Sequence, residues 1–257
     1  MKNGTKITTG KKYNRILFCS LLLPVLFVLF MGPGHAHSFN VPERLEYDLK
    51  WIGIPGGTAV LSVENSENKY IIRSRALSNS FVSAFYKVDD RITCIVDGSN
   101  GEYGYSINYH IKLREGRHRR NKEVIFNQKK KKAIYIDHKK GKRREYEIPA
   151  NVYDPLSGFF SVRNKDLIVG KSVNVKIFDS KKMWDVKVDV LKKEKVEVDA
   201  GTFDTIVIRP NMKSEGVFNR KGDILIWLTD DERRVPVKVA LEALVGHVTA
   251  ELTGGVY

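Results

Sequence analysis

The sequence predicts a mainly β protein, built as one strongly curved antiparallel sheet or half-barrel with two short helices against its concave side. Three observations lead there. Apolar residues recur at every second position over most of the chain beyond residue 36, turn-forming clusters interrupt them at short intervals, and only two stretches break the period. Period-two alternation puts one face of a strand in a core and the other in water. The roughly dozen strands this implies exceed what one flat sheet holds comfortably, so the sheet must curl.

The chain opens on a different pattern. Residues 1–36 carry Lys2, Lys6, Lys11, Lys12 and Arg15 with no acid, then the apolar run Ile16–Met31, then GPGHA. A basic front, an apolar centre and small residues before a polar stretch describe a secretory signal peptide. Gly34 and Ala36 fit the small positions, so cleavage is expected after Ala36 and His37 begins the mature chain. An uncleaved anchor is the alternative, but the run is interrupted by Pro24 and is shorter than the roughly 20 residues that span a bilayer. Export to the periplasm follows from this reading. Residues 37–257 then form a single β-rich domain, and loss of five leader cations takes the formal charge from +14 to +9. Cys94, in RITCIVD, has no cysteine partner left in the mature chain. It is expected to be a buried, inert thiol.

In chain order, Leu45, Tyr47, Leu49 and Trp51 alternate with Glu46, Asp48 and Lys50 before the turn signal GIPGG at 53–57. LSNSFVSAFYKV (77–88) breaks the period and is the first helix candidate. DGSNGEYG (97–104) is a turn, after which Tyr103, Tyr105, Ile107, Tyr109, Ile111 and Leu113 hold every odd position. EVIF (123–126) and AIYI (133–136) are strand-like, and HKKGKR (138–143) is a turn. DPLSGFFSVRN (154–164) is the second helix candidate, with Asp154 at the N-cap and Pro155 in the first turn. Val173, Val175 and Ile177 alternate, then Trp184, Val186, Val188 and Val190; AGTF (200–203) turns the chain. ILIWL (224–228) is apolar at all positions, and Val235, Val237, Val239 and Leu241 face it across TDDERR; Val248, Ala250 and Leu252 close the series. The charges between Thr229 and Arg234 are therefore expected to be the tip of a hairpin.

Motifs for chemistry are sparse. His37, His110, His118, His138 and His247 are scattered without ligand spacing, so no metal is expected. Ser157 in PLSGF lacks a GxSxG elbow. GKS at 170–172 ends no phosphate loop, because residue 165 is a lysine where the motif needs glycine. Asp89–Asp90, Asp137, Asp154 and the acids at 230–232 could supply a distant carboxylate pair, but nothing singles one out. The expected function is non-enzymatic and without cofactor, with a carboxylate-based hydrolase as an alternative.

The strongest anomaly is basic. Between Lys112 and Arg144 stand fifteen Lys and Arg against three acids, a local excess of +12. The candidate cations for an anionic partner are Arg117, Arg119, Arg120, Lys129, Lys130, Lys131 and Lys132, with Lys139, Lys140, Lys142, Arg143 and Arg144. They read equally as the solvated flanks of hairpins. In an envelope the available polyanions are phospholipid, lipopolysaccharide phosphates and acidic glycans; no nucleic acid is expected of an exported chain.

The segments LEYDLKWIGIPGGTAVLSV, YDPLSGFFSVRNKDLIVGKSVNVKIFDSKKMWDVKV, VEVDAGTFDTIVIRP and ILIWLTDDERRVPVKVALEALVGHVTAEL, in that order, resemble the exported bacterial family catalogued as domain of unknown function 3108. The resemblance runs from Pro42 to Leu252 and is weakest over 112–144. It implies a β-rich envelope protein and supplies no catalytic residues. The architecture is also similar to that of periplasmic lipoprotein carriers, which hold acyl chains in an open half-barrel. On that analogy an apolar chain would lie near Trp51, Phe81, Phe85, Phe159, Phe160 and Trp227, with the helices as lids; the reading set against it, and preferred to a pocket, is that the helices merely plug the barrel. The alternative to a lipid carrier is an envelope scaffold or assembly factor whose basic face binds a polysaccharide or protein.

Overall fold

A computed structural model describes residues 39–99, 102–211, 224–242 and 246–257. The expected signal peptide and the cleavage expected after Ala36 lie outside the described residues. β1 (Glu43–Trp51), β2 (Ile54–Ser66) and β3 (Lys69–Ser78) lead into α1 (Ser80–Phe85). β4 (Asp89–Asp97), β5 (Ser106–Glu115), β6 (His118–Asn127), β7 (Lys132–Asp137) and β8 (Lys142–Glu147) continue to α2 (Pro155–Arg163). β9 (Ser172–Asp179), β10 (Lys182–Val198), β11 (Gly201–Asn211), β12 (Ile224–Thr229), β13 (Pro236–Glu242) and β14 (His247–Val256) complete the chain.

All of these strands join one antiparallel sheet in the order β8-β7-β6-β5-β4-β3-β2-β1-β14-β13-β12-β11-β10-β9. The two ends of the meander meet at β1 and β14, where Arg44 to Trp51 pair with Val256 to Val248. The edges are β8 and β9, which are not paired with each other, so the curved sheet stays open. One parallel bridge, Tyr153 to Ile177, ties the segment after β8 to the β9 edge. This is the curved β architecture expected from the period-two pattern, and the register obeys it: Leu45, Tyr47, Leu61, Val63, Ile72, Ile92, Cys94 and Val96 are all buried in one core.

Strand direction alternates along the chain, so the turns sort into two ends. Those after β1, β3, β5, β7 and β9 lie at one end, called the mouth. Those after β2, β4, β6, β10 and β12, with both ends of α2, lie at the base.

α2 fills the concave side. Its sequence, PLSGFFSVR, is apolar or small nearly all round, and a helix without a polar face must be covered on every side. All nine residues are buried. Asp154 caps it as expected, accepting from the amides of Leu156 and Ser157 at 2.8 and 3.0 Å, and its second oxygen accepts from the hydroxyls of Ser106 and Ser157, both at 2.7 Å. Phe160 packs edge-on against Phe39 at 5.1 Å, and the Tyr103 hydroxyl donates to the Ser157 carbonyl at 2.8 Å.

The last residue of α2 is a buried arginine. Arg163 donates through both terminal nitrogens to the two carboxylate oxygens of Glu43, each at 2.6 Å. It also donates to the Arg233 carbonyl at 2.8 Å and stacks over Phe39 and Phe160 at 5.0 and 5.1 Å. A cation at this position also meets the negative end of the helix dipole. One side chain thus fastens α2 to the start of β1 and to the β12–β13 turn.

Removing one member of a buried ion pair leaves the other desolvated and uncompensated, at a cost of about 3–5 kcal/mol. Glu43→Ala and Arg163→Met are each expected to lower stability by about that amount, and Glu43→Leu/Arg163→Met to recover much of it. Urea unfolding midpoints of the three variants check this.

Candidate functional site

The aromatic residues expected around an apolar ligand do not converge. Phe159 and Phe160 are fully buried in the core on α2. Trp227 lies on the outer face of β12: Ile224, Ile226 and Leu228 take the buried register, while the Trp227 indole N–H donates to Glu194 at 2.7 Å with Lys238 over its ring. Trp51, Phe81 and Phe85 stand at the mouth, exposed by 42%, 67% and 81%. The sequence could not separate these groups, because the interior that would have gathered them is occupied by α2.

The mouth has its own construction. α1 is capped by Asn79, whose side chain accepts from the Val82 amide at 2.8 Å and donates to the Pro55 carbonyl at 2.8 Å. The Ser78 and Ser83 hydroxyls meet at 2.7 Å, and the Val88 amide donates to the Ser78 hydroxyl at 2.8 Å. Polar groups therefore fasten α1 to the rim, and none of its residues is buried. Phe81 and Phe85, one turn apart, point outward with their rings 5.9 Å apart. Beside α1, the β1–β2 turn presents Trp51, Ile52 and Ile54, all exposed. On the other flank, the Tyr86 ring covers Gly116, whose φ of +56° and lack of Cβ permit the close approach, and the Gly116 amide donates to the Lys87 carbonyl at 2.9 Å.

The cations divide by strand length. Arg117, Arg119 and Arg120 sit at the mouth in or just after the β5–β6 turn, and Lys139, Lys140 and Lys142 in or beside the β7–β8 turn. Arg143 and Arg144 follow along β8, whose charged residues guard the sheet edge. Lys129, Lys130, Lys131 and Lys132 lie at the base, in and after the β6–β7 turn. A six-residue strand separates the two groups, about 20 Å at 3.4 Å per residue. The single basic run of the sequence is thus two patches. Lys132 is also engaged, with Glu145 at 2.5 Å, and Arg119 donates to the carbonyls of Gly116 and His118.

Most of the candidate acids have structural work. Asp154 caps α2; Asp89 pairs with Arg91 at 2.8 Å; Asp137 accepts from the amides of Lys139 and Lys140. The 230–232 acids belong to a hairpin tip, where Asp231 meets Arg233 at 2.7 Å and Asp230 meets Lys193 at 2.6 Å and Arg234 at 3.2 Å. This turn and Arg163, Lys165 and Asp166 line a cleft of about 210 Å³ at the base, in which burial lowers Lys165 to about 8.

Asp90 is different, and its companion Glu115 was not singled out by any sequence motif. Both are essentially inaccessible, at 0% and 1% exposure. One Asp90 oxygen accepts from the Arg114 amide at 2.8 Å; the other, and Oε1 of Glu115, have no hydrogen-bond partner. Burial pushes Asp90 up to about 6 against the Arg114 bond. Burial, then the Asp90 charge, pushes Glu115 up to about 7, with Arg120 opposing. The pair can hold and release protons near neutrality, but it is closed to solvent. The available signal was register: Asp90 shares the period-two face of Ile92, Cys94 and Val96, and Glu115 that of Leu113. Cys94 itself is wholly buried, and burial raises its thiol well above the ordinary value. Among the described residues no group of three or more His, Cys, Asp and Glu could hold a metal ion, and no helix is long and apolar enough to cross a membrane.

Sheet order, plugging helix and ornamented mouth define an open β-barrel-like protein of a single curved meander. The family model described as protein of unknown function DUF3108 matches residues 46–253, and the chain belongs to that family. Its fold is similar to that of a β-barrel-like DUF1849 protein from Brucella abortus, at 13% identity and a TM-score of 0.60, over 84% of this chain and 98% of that one. Weaker likenesses are to a Bacteroides fragilis protein described as exported and YmcC-like in fold (9% identity, TM-score 0.35, 90% and 99% coverage) and a Parabacteroides distasonis protein described as a lipoprotein (11%, 0.31, 84% and 96%). No curated protein matches in sequence.

The acid pair makes a signed prediction. Unfolded, Asp90 and Glu115 titrate at their ordinary 3.8 and 4.5; folded, at about 6 and 7. Between those values the folded state binds more protons, so this pair's contribution to stability falls as pH rises from about 4 to 7. Asp90→Asn is expected to flatten the pH dependence and to be more stable than the parent at pH about 8, as thermal midpoints across that range will check.

Proposed function

We propose that this is a non-catalytic protein of the cell envelope that binds phosphate-bearing lipid or glycolipid through the cations of its mouth. The observation that carries the reading is the placement of Arg117, Lys139, Lys140 and Lys142 in or beside two neighbouring turns, all exposed. The leader pattern in residues 1–36 supports an envelope address. Lipid enters this reading as a surface met from outside and not as cargo, because Phe159, Phe160 and the rest of α2 fill the concave side where an acyl chain would lie. A second reading, an envelope scaffold, draws on the separate Lys129–Lys131 turn at the base, which leaves a second cationic surface free when the mouth is engaged.

Each Lys or Arg close to an anionic surface contributes about 1 kcal/mol. The triple reversal Arg117→Glu/Lys139→Glu/Lys140→Glu is therefore expected to weaken co-sedimentation with phosphatidylglycerol vesicles at least about 100-fold at low salt, with unchanged unfolding midpoint. Lys129→Glu/Lys130→Glu is expected to leave that binding within a few fold. Equal binding by all three proteins overturns the reading.

A further inference from the structure

We infer that the mouth is a membrane-docking face, in which Phe81 and Phe85 of α1 and Trp51, Ile52 and Ile54 of the β1–β2 turn enter the interfacial layer of an anionic phospholipid bilayer while the adjoining cations hold its headgroups. This rests on the proposed anionic-lipid reading and specifies the partner and the orientation.

The orientation of α1 is the first support. A short surface helix normally turns its apolar stripe to the core. Here the order is reversed: Asn79, Ser78 and Ser83 hold the rim, and the two phenylalanines face away, 67% and 81% exposed. The serine and asparagine bonds fix this orientation, so the aromatics are presented by a braced element and not by a free loop. Trp51, Ile52 and Ile54 add exposed apolar surface directly beside it, because Asn79 bonds to the backbone of Pro55 and Gly56. Ile52 is anchored in turn, donating its amide to the His247 carbonyl at 2.9 Å. Contiguous apolar patches of this kind mark interaction or membrane sites.

Charge selects the bilayer as the occupant. Lys87 is exposed directly after α1, and Arg117 is exposed in the turn held against it by the Gly116–Lys87 hydrogen bond. Lys139 and Lys140 extend the same rim two strands further. Among the acids at this end, Asp89 is engaged by Arg91 and Arg75 and Asp137 by its own turn, while Glu242 at the end of β13 stays exposed. Aromatic and aliphatic side chains flanked by cations bind bilayers by combining apolar insertion with attraction to anionic headgroups, whereas a second copy of the same cationic rim would be repelled.

The test uses the protein expressed from its full sequence, with vesicles of phosphatidylglycerol mixed into phosphatidylcholine, against phosphatidylcholine alone. At about 0.5 M salt, where surface charge is largely screened, the parent is expected to remain on anionic vesicles. Phe81→Ser/Phe85→Ser is expected to lose about tenfold or more of that salt-resistant binding while still binding at low salt, and Trp51→Ser to lose part of it. Exposure of all three positions keeps the fold out of the comparison, and unchanged unfolding midpoints verify that. If the phenylalanine variant matches the parent at both salts while the triple charge reversal abolishes binding, insertion is wrong and the electrostatic reading stands alone. If neither variant alters binding, both fall. Equal binding to neutral vesicles overturns the anionic partner, and loss of self-association in place of vesicle binding assigns the face to a second copy of the chain.

Discussion

An open sheet of this curvature has an interior that must be filled by something other than its own closure, and α2 held by the Arg163–Glu43 pair does the filling. The helix has no polar face, so its burial is demanded by its own sequence. Arg163 supplies what apolar packing lacks, which is direction: a bidentate contact to Glu43 and a bond to the Arg233 carbonyl admit one seating of the helix. These contacts join the first strand, the connection between the two sheet edges, and the β12–β13 turn.

That seating has a functional consequence. With Phe159 and Phe160 committed to the core, the exposed aromatic side chains among the described residues, Trp51, Phe81 and Phe85, cluster at one end. α1 shows how local hydrogen bonding overrides amphipathic habit. Six residues bury too little to orient a helix by apolar contact, so the caps and the serine pair decide which side faces the rim. The result is an exposed apolar surface beside cations.

Asp90 and Glu115 sit just behind this surface, at the start of β4 and the end of β5. Their carboxyl groups face the interior where apolar residues otherwise stand, and a buried carboxyl favours its protonated form. The mouth is therefore backed by two carboxyl groups that each keep one oxygen without a hydrogen-bond partner, while α2 is fastened at the base through Asp154 and Arg163.

Much of this was fixed by local pattern. Leu45, Tyr47 and the Ile92–Val96 alternation specify strands and their buried faces because side chains alternate on a pleated chain whatever the fold. Asp154 and Pro155 specify a helix start because the cap is a matter of three residues, and the charges of TDDERR form a hairpin tip, with Asp231 paired to Arg233 and Asp230 to Arg234, leaving Trp227 and its strand as the informative part. What tertiary structure decided depends on distance in space. The basic run split into mouth and base because a strand carries the chain from one end to the other. Glu115 met Asp90 because β4 and β5 are neighbours, and Arg163 met Glu43 across 120 residues of sequence. Whether an aromatic residue is core or contact surface was likewise settled only by where α2 came to rest, since period and propensity describe a residue's own strand or helix and not what that element is packed against.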